Sequence, residues 1–219
     1  PMAIFVSAIS FVVVLAKVAK QAEKELRLAV HHKTSLTVML PEGMRRKVEG
    51  LDPEHQRLTA VCGMRWFGGR RPNSQNVITS LASDEDTFPE VYGDIGMTPT
   101  EIERWRQERR AAVIGVGLAR EFRCGVGGQI TLQSSIPPYL PLQFIVVKIM
   151  EEDQRAGLLY FRRDYLEETL KIANFPAGGC NIFWVKCSNL QALEDLQEKI
   201  DEAFKNSPDQ TMTQSENAF

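Results

Sequence analysis

Few residues in this sequence could do chemistry, and their spacing argues against most of the sites they could form. His31 and His32 are adjacent, so they cannot share a helix or strand face, and His55 has no partner nearby in sequence. The histidines therefore read as solvated side chains. Cys62, Cys124, Cys180 and Cys187 form no C-x-x-C pair and have no metal-like spacing with histidine. They read as small buried hydrophobes, with one disulfide as the alternative in an oxidising compartment. Asp84, Glu85, Asp86 and Glu90 could gather a cation, but they lack the glycine-containing spacing of a calcium loop. An acidic helix start accounts for them, because carboxylates suit the positive end of a helix.

Phosphate cradles and nucleophiles fare no better. Gly63 and Gly68 have the spacing of a P-loop, but Gly69 stands where the lysine must complete the charge. Gly115 and Gly117 follow a strand-like run, yet Arg120 occupies the third glycine position of a dinucleotide fingerprint. No G-x-S-x-G elbow is present, and three histidines offer few general bases. The expectation is a protein with no catalytic centre, cofactor or metal, and not an enzyme. With 26 basic against 28 acidic side chains, no basic field recruits nucleic acid either.

The elements around these residues carry more information. Residues 2–16 are apolar except for two serines and free of charge. A full membrane span needs about 20 such residues. The run could be a signal-peptide core or a buried helix. However, it has no basic leader, no clean cleavage site and no polar face. The reading adopted is the outer part of a membrane helix. Residues 17–30 are good helix formers, and Leu15, Val18, Ala22, Leu26 and Ala29 recur at three- and four-residue steps. A stalk helix leaving the bilayer is predicted here, with Lys17, Ala22, Leu26 and Ala29 as its coupling positions.

Beyond the stalk the period changes. Residues 34–40 and 58–67 read as strands around a short helix at 44–51, a βαβ-sized unit ending at Gly68-Gly69. Near the other end, 181–187 reads as a strand, 190–204 as an amphipathic helix with Leu193, Leu196, Ile200 and Phe204 on one face, and 210–213 as a last strand. Two such units predict one split sheet with the middle of the chain inserted into it. Within the middle, strands are expected at 77–82, 112–114, 129–132, 142–150 and 158–161. Helices are expected at 98–110, 116–122 (capped by Gly125) and 164–170 (started by Asp164). Trp66, Phe67, Phe183 and Trp184 fall on the end strands and read as core.

This order of elements resembles the extracytoplasmic core of MacB/FtsX-like ABC-transporter permeases. The residues that carry the likeness are AVCGMRWFGG from Ala60 to Gly69, IGVGLAREFRCGVGGQITL from Ile114 to Leu132, and TMTQSENAF from Thr211 to Phe219. The resemblance implies an α+β fold. Residues 1–30 would end a membrane helix and form the stalk. Residues 31–69 and 180–219 would form a split ferredoxin-like, porter-like subdomain, and 70–179 an inserted mixed α/β, sabre-like one. It further implies a domain facing the periplasm from the bacterial inner membrane, transmitting ATP-driven motion for efflux or extraction. Implied partners are an ABC ATPase, a second permease copy and a periplasmic adaptor. The alternative is a membrane-anchored binding or adaptor module with no transport role.

Overall fold

The sequence RLAVHH shows first how tertiary context decides this fold. The computed structural model describes residues 26–219. In it Arg27–His32 is a strand, β1, rather than the end of a stalk helix. Leu28 and Val30 enter one core while Ala29 enters another, so the segment is buried on both faces between two strands. That burial overrides a helix propensity worth only tenths of a kcal/mol per residue. The membrane helix at 2–16, and with it Lys17 and Ala22, lies outside the described residues.

The strand expected at 34–40 is likewise replaced. Ser35 Oγ accepts from the Thr37 amide and meets the Thr37 hydroxyl, and the Val38 amide donates to the Ser35 carbonyl. Short hydroxyl side chains compete with ladder bonds, and the segment turns. Only Leu40 makes a bridge, to Cys180.

The other elements follow the hydrophobic periods. They are α1 (Gly43–Glu49), β2 (Leu58–Trp66), β3 (Gly69–Arg70), β4 (Val77–Ser83), α2 (Phe88–Val91), α3 (Pro99–Gln107), β5 (Ala111–Gly115), α4 (Val116–Phe122), β6 (Gln129–Ser134), β7 (Pro141–Met150), β8 (Leu158–Arg162), α5 (Arg163–Ile172), β9 (Ile182–Cys187), α6 (Leu190–Phe204) and β10 (Thr211–Ser215). Helix α3 begins on a capping box between Thr98 and Glu101. Two predicted caps differ. Helix α4 ends on Arg123 in the left-handed region, not on Gly125. Helix α5 has Arg162 at its N-cap, with Asp164 in the first turn pairing with that arginine.

The strands form one sheet in the order β10-β1-β9-β2-β4-β3-β6-β7-β5-β8, and β8 pairs back to β4. The first four are mutually antiparallel and come from the two ends of the described chain. Helices α1 and α6 cover one face of these strands. Met44, Val48, Leu196, Ile200 and Phe204 meet Leu28, Val30, Val61, Phe183 and Val185 there. Burying each such side chain is worth about 1.5–3 kcal/mol.

The insertion behaves differently from a free-standing layer. Its strands β4-β3-β6-β7-β5-β8 close on themselves through the β4–β8 pairing. Alternate residues line the interior of this ring: Ala112 and Ile114 from β5, Phe144 and Val146 from β7, Leu159 and Phe161 from β8. Their neighbours Ala111, Val113, Val147 and Tyr160 face out of the ring into a third core. In that core they join Phe88, Tyr92 and Trp105 and meet Ala29, Cys62 and Trp184 from the end strands. The period of two thus lets one ring wall serve two cores, and the insertion is welded to the split half.

Candidate functional site

Two networks of buried charge cross the joint between the split half and the insertion. The first centres on Asp94, held in a short 3-10 turn (Gly93–Ile95) after α2, its side chain fully buried. Arg27, the first residue of β1, donates to both carboxylate oxygens of Asp94, at 2.5 and 3.3 Å, and to the Val91 carbonyl at 3.0 Å. Its Nε donates to Glu216, just past β10. Arg155, from the turn before β8, reaches Asp94 from the other side. Tyr92 lies under both guanidinium groups, 4.5 Å from Arg27 and 5.7 Å from Arg155.

Burial pushes Arg27 toward losing its proton, but Asp94 and Glu216 outweigh it, and the guanidinium is held charged above its ordinary range. Burial pushes the Asp94 carboxyl up. The bonds from Arg27 and the charges of Arg27 and Arg155 reverse this, leaving it below its ordinary value.

The second network centres on Asp84, at the end of β4. It accepts from the Gly63 amide at 2.7 Å, from Arg45 of α1 at 2.8 Å and from Arg163 of α5. Arg163 also donates to Glu42 at 2.9 Å and to Glu167 at 2.8 Å, while Arg45 pairs with Glu49 at 2.9 Å. Asp84, expected in an acidic helix start, is instead buried and ties α1 to α5. Only Glu90 sits in the first turn of α2.

The fold also explains the glycines that faintly suggested a nucleotide site. A Cβ on Gly115 would lie 2.0 Å from the Arg155 carbonyl oxygen, and one on Gly117 would lie 2.8 Å from that of Ala156. The Leu118 amide donates to the Ala156 carbonyl at 3.1 Å, so a protein carbonyl occupies the helix N-terminus. Gly115→Ala should therefore destabilise by about 1–3 kcal/mol through overpacking. A urea midpoint unchanged from wild type would show that the Arg155–Ala156 turn gives way freely.

Cys62, Cys180 and Cys187 are buried free thiols, and Cys124 is free and half-buried. Burial raises all four thiol pKa values, Cys187 to about 12. Among the described residues no cluster of His, Cys, Asp or Glu could hold a metal, and no helix is long and apolar enough to cross a membrane.

Of the predicted coupling residues, Leu26 is half-buried and its carbonyl accepts from the Cys187 amide at 2.8 Å, while Ala29 is buried in β1. Ala29 therefore lies on no helix seam. Sequence reasoning missed Arg27, Asp84, Asp94, Arg155 and Arg163. An arginine inside the apolar run LRLAV was the one available signal.

The geometry holds two bodies together and brings the two ends of the described chain side by side. Leu28 pairs with Ser215, and the Glu216 amide donates to the Arg27 carbonyl at 3.0 Å. No protein-family model and no curated protein matches the sequence. Among solved structures, the extracellular domain of the noncanonic ABC-type transporter YknZ from Gram-positive bacteria shares the fold. The TM-score is 0.57 at 11% identity, covering 86% of this chain and 99% of that one. "A domain of a putative Permease protein" from Porphyromonas gingivalis matches with a TM-score of 0.43 at 11% identity, over 87% of this chain and 89% of that one.

Proposed function

We propose that this chain is the extracytoplasmic domain of a bacterial ABC-transporter permease, facing the periplasm from the inner membrane and passing ATP-driven motion to that side. The observation that carries the reading is the position of Arg27 and Glu216. The chain enters β1 and leaves β10 at the same end of adjacent antiparallel strands, tied by Arg27 to Glu216. A domain set between two membrane segments needs its entry and exit side by side at one end. The shared fold with the YknZ extracellular domain supports the same reading.

In this reading the antiparallel order β10-β1-β9-β2, with α1 and α6 on one face, is a split ferredoxin-like, porter-like half. The closed insertion is its sabre-like part. The ATPase acts through the membrane portion, a second permease copy completes the transporter, and the domain itself catalyses nothing. The two ionic networks make the halves move as one body, so displacement at Arg27 and Glu216 reaches the far end of the sheet.

The test uses the intact permease with its ATPase. Asn206 is exposed at the end of α6, and Asn206→Cys should react with a membrane-impermeant maleimide in whole spheroplasts. Spin labels at that position in the purified assembly should change their separation between copies when ATP is added. Labelling only after the membrane is breached would sink the placement. Labels that ignore ATP would leave the domain a passive tether and favour the anchored binding module.

A further inference from the structure

Arg65, near the end of β2, differs from the arginines of the two ionic networks. Its guanidinium donates only to carbonyls, that of Gly178 at 3.3 Å and that of Pro176 at 3.4 Å, and both bonds are long. Glu167, whose charge reaches it, is committed to Arg163 at 2.8 Å, and among the described residues Arg65 makes no ion pair. Burial holds it below its ordinary pKa, whereas for Arg27, Arg45 and Arg155 nearby carboxylates outweigh burial. Its bond to Pro176 lies at the surface, so a carboxylate from outside can reach the guanidinium.

Among the described residues Arg65 is also the one charged wall of a narrow cleft between the end of β2, the β6–β7 loop and α5, whose apolar walls include Trp66, Ile136, Leu140 and Leu170. Five of the eleven exposed large apolar side chains of the described residues stand on these elements. They are Trp66 on β2, Ile136 and Tyr139 on the loop, and Ile172 and Phe175 at and just past the end of α5. The Phe175 amide closes back on the Leu170 carbonyl at 2.9 Å, which keeps Phe175 beside the cleft. Single exposed apolar residues need no explanation, but a cluster of them around one charge marks a contact surface. Trp and Arg are the side chains that most often dominate such contacts.

The cleft holds only about 20 Å³, whereas small-molecule sites run to roughly 300–1,000 Å³, so it can take the tip of a side chain but not a free ligand. The register sets it at the end of the sheet away from the chain's entry. Arg27 lies opposite Lys186 and Met64 opposite Ile182, which puts Trp66 about 20 Å along the strands from the Arg27 end. In the orientation proposed above it faces away from the bilayer, and its occupant is a protein; that choice alone rests on the transporter reading. We propose that this cleft and its rim dock a segment of a partner protein in which an Asp or Glu is flanked by large apolar side chains. The carboxylate would pair with Arg65, supplying the charge that the chain itself does not, and the apolar side chains would cover Trp66 and Ile136.

The test screens the full chain against a displayed library of random dodecapeptides and measures the selected sequences by fluorescence anisotropy. They should carry an Asp or Glu next to large apolar residues, and replacing that acid by its amide should weaken binding about tenfold or more. Arg65→Gln and Trp66→Ser should each weaken it by a similar factor without lowering the urea midpoint. Should either variant misfold, Ile136→Ser on the exposed loop takes its place and should do the same. A library that yields no binder, selected peptides without a carboxylate, or folded variants that bind them as wild type does would overturn the proposal. So would a dimer of the chain, or binding to phosphatidylethanolamine–phosphatidylglycerol vesicles, that is lost in Trp66→Ser, since the occupant would then be a second copy or a lipid surface. The vesicle result would also count against the proposed orientation, whereas failure with the peptides alone would leave the transporter reading standing.

Discussion

Asp94→Ala is expected to cost about 3–5 kcal/mol, a large share of the 5–15 kcal/mol that stabilises an ordinary domain. The side chain it removes is fully buried between Arg27 and Arg155, whose own side chains are 1% and 6% exposed. Neither guanidinium can reach water to recover its solvation. Arg27 keeps Glu216 close, whereas the ion pair left to Arg155 among the described residues is the long one to Glu152, at 3.6 Å. The loss therefore falls mainly on Arg155 and on the turn that Gly115 packs against. Urea unfolding followed by the fluorescence of Trp105 and Trp184, both in the shared core, measures it. A loss below about 1 kcal/mol would mean that water reaches the arginines and that the network does not hold the joint.

The same carboxylate has a pH signature. Its pKa in the folded protein lies below its ordinary value of 3.8, so the stability it contributes is present above pH 3.8 and is lost as pH falls through the folded value. The gap in urea midpoint between wild type and Asp94→Ala should be full at neutral pH and should narrow below pH 3.8. A gap that stays constant through that range would show that the cost comes from packing, not charge.

Asp84→Ala is expected to cost about 3 kcal/mol, somewhat less than the Asp94 change. It leaves the buried Gly63 amide without an acceptor and takes one carboxylate from each of two arginines. Those arginines keep others: Arg45 retains Glu49, and Arg163 retains Glu42 and Glu167. The change should also loosen the tie between α1 and α5. Amide exchange in residues 43–50 should therefore speed up by more than in α6. Equal acceleration in both helices would mean a uniform loss of stability, with no particular role for Asp84 in that tie.

These networks bear on the proposed transmission of motion. A joint made only of apolar contacts can slide, whereas paired charges in a dry interface allow few arrangements. Arg27 is at once the first residue of the entering strand, the partner of the exit segment through Glu216, and the partner of the insertion through Asp94. Weakening either network should therefore reduce the ATP response of a label in the middle segment, at exposed Asn73, more than that of labels at Asn206, even where the domain remains folded.

Much of the architecture was legible in the amino-acid order because its period-2 and period-3.6 patterns are local. The helices at 116–122 and 190–204 stand where the periodicity put them, and the end strands at 58–66 and 182–187 are neighbours in one sheet as the two matching units implied. The absence of phosphate and nucleophile motifs was also a local property. Segments whose structure depends on distant partners were not legible. RLAV, expected to end a helix, becomes a strand because β9 and β10 flank it, and TSLTVML is a good strand sequence that turns on its own hydroxyls. Closure of the insertion rests on the β4–β8 pairing, and both ionic hubs join residues dozens of positions apart. A carboxylate in sequence looks the same whether it is solvated or buried. Only the tertiary structure, by removing water around Asp84 and Asp94 and bringing arginines from other elements against them, decides that these two hold the molecule together.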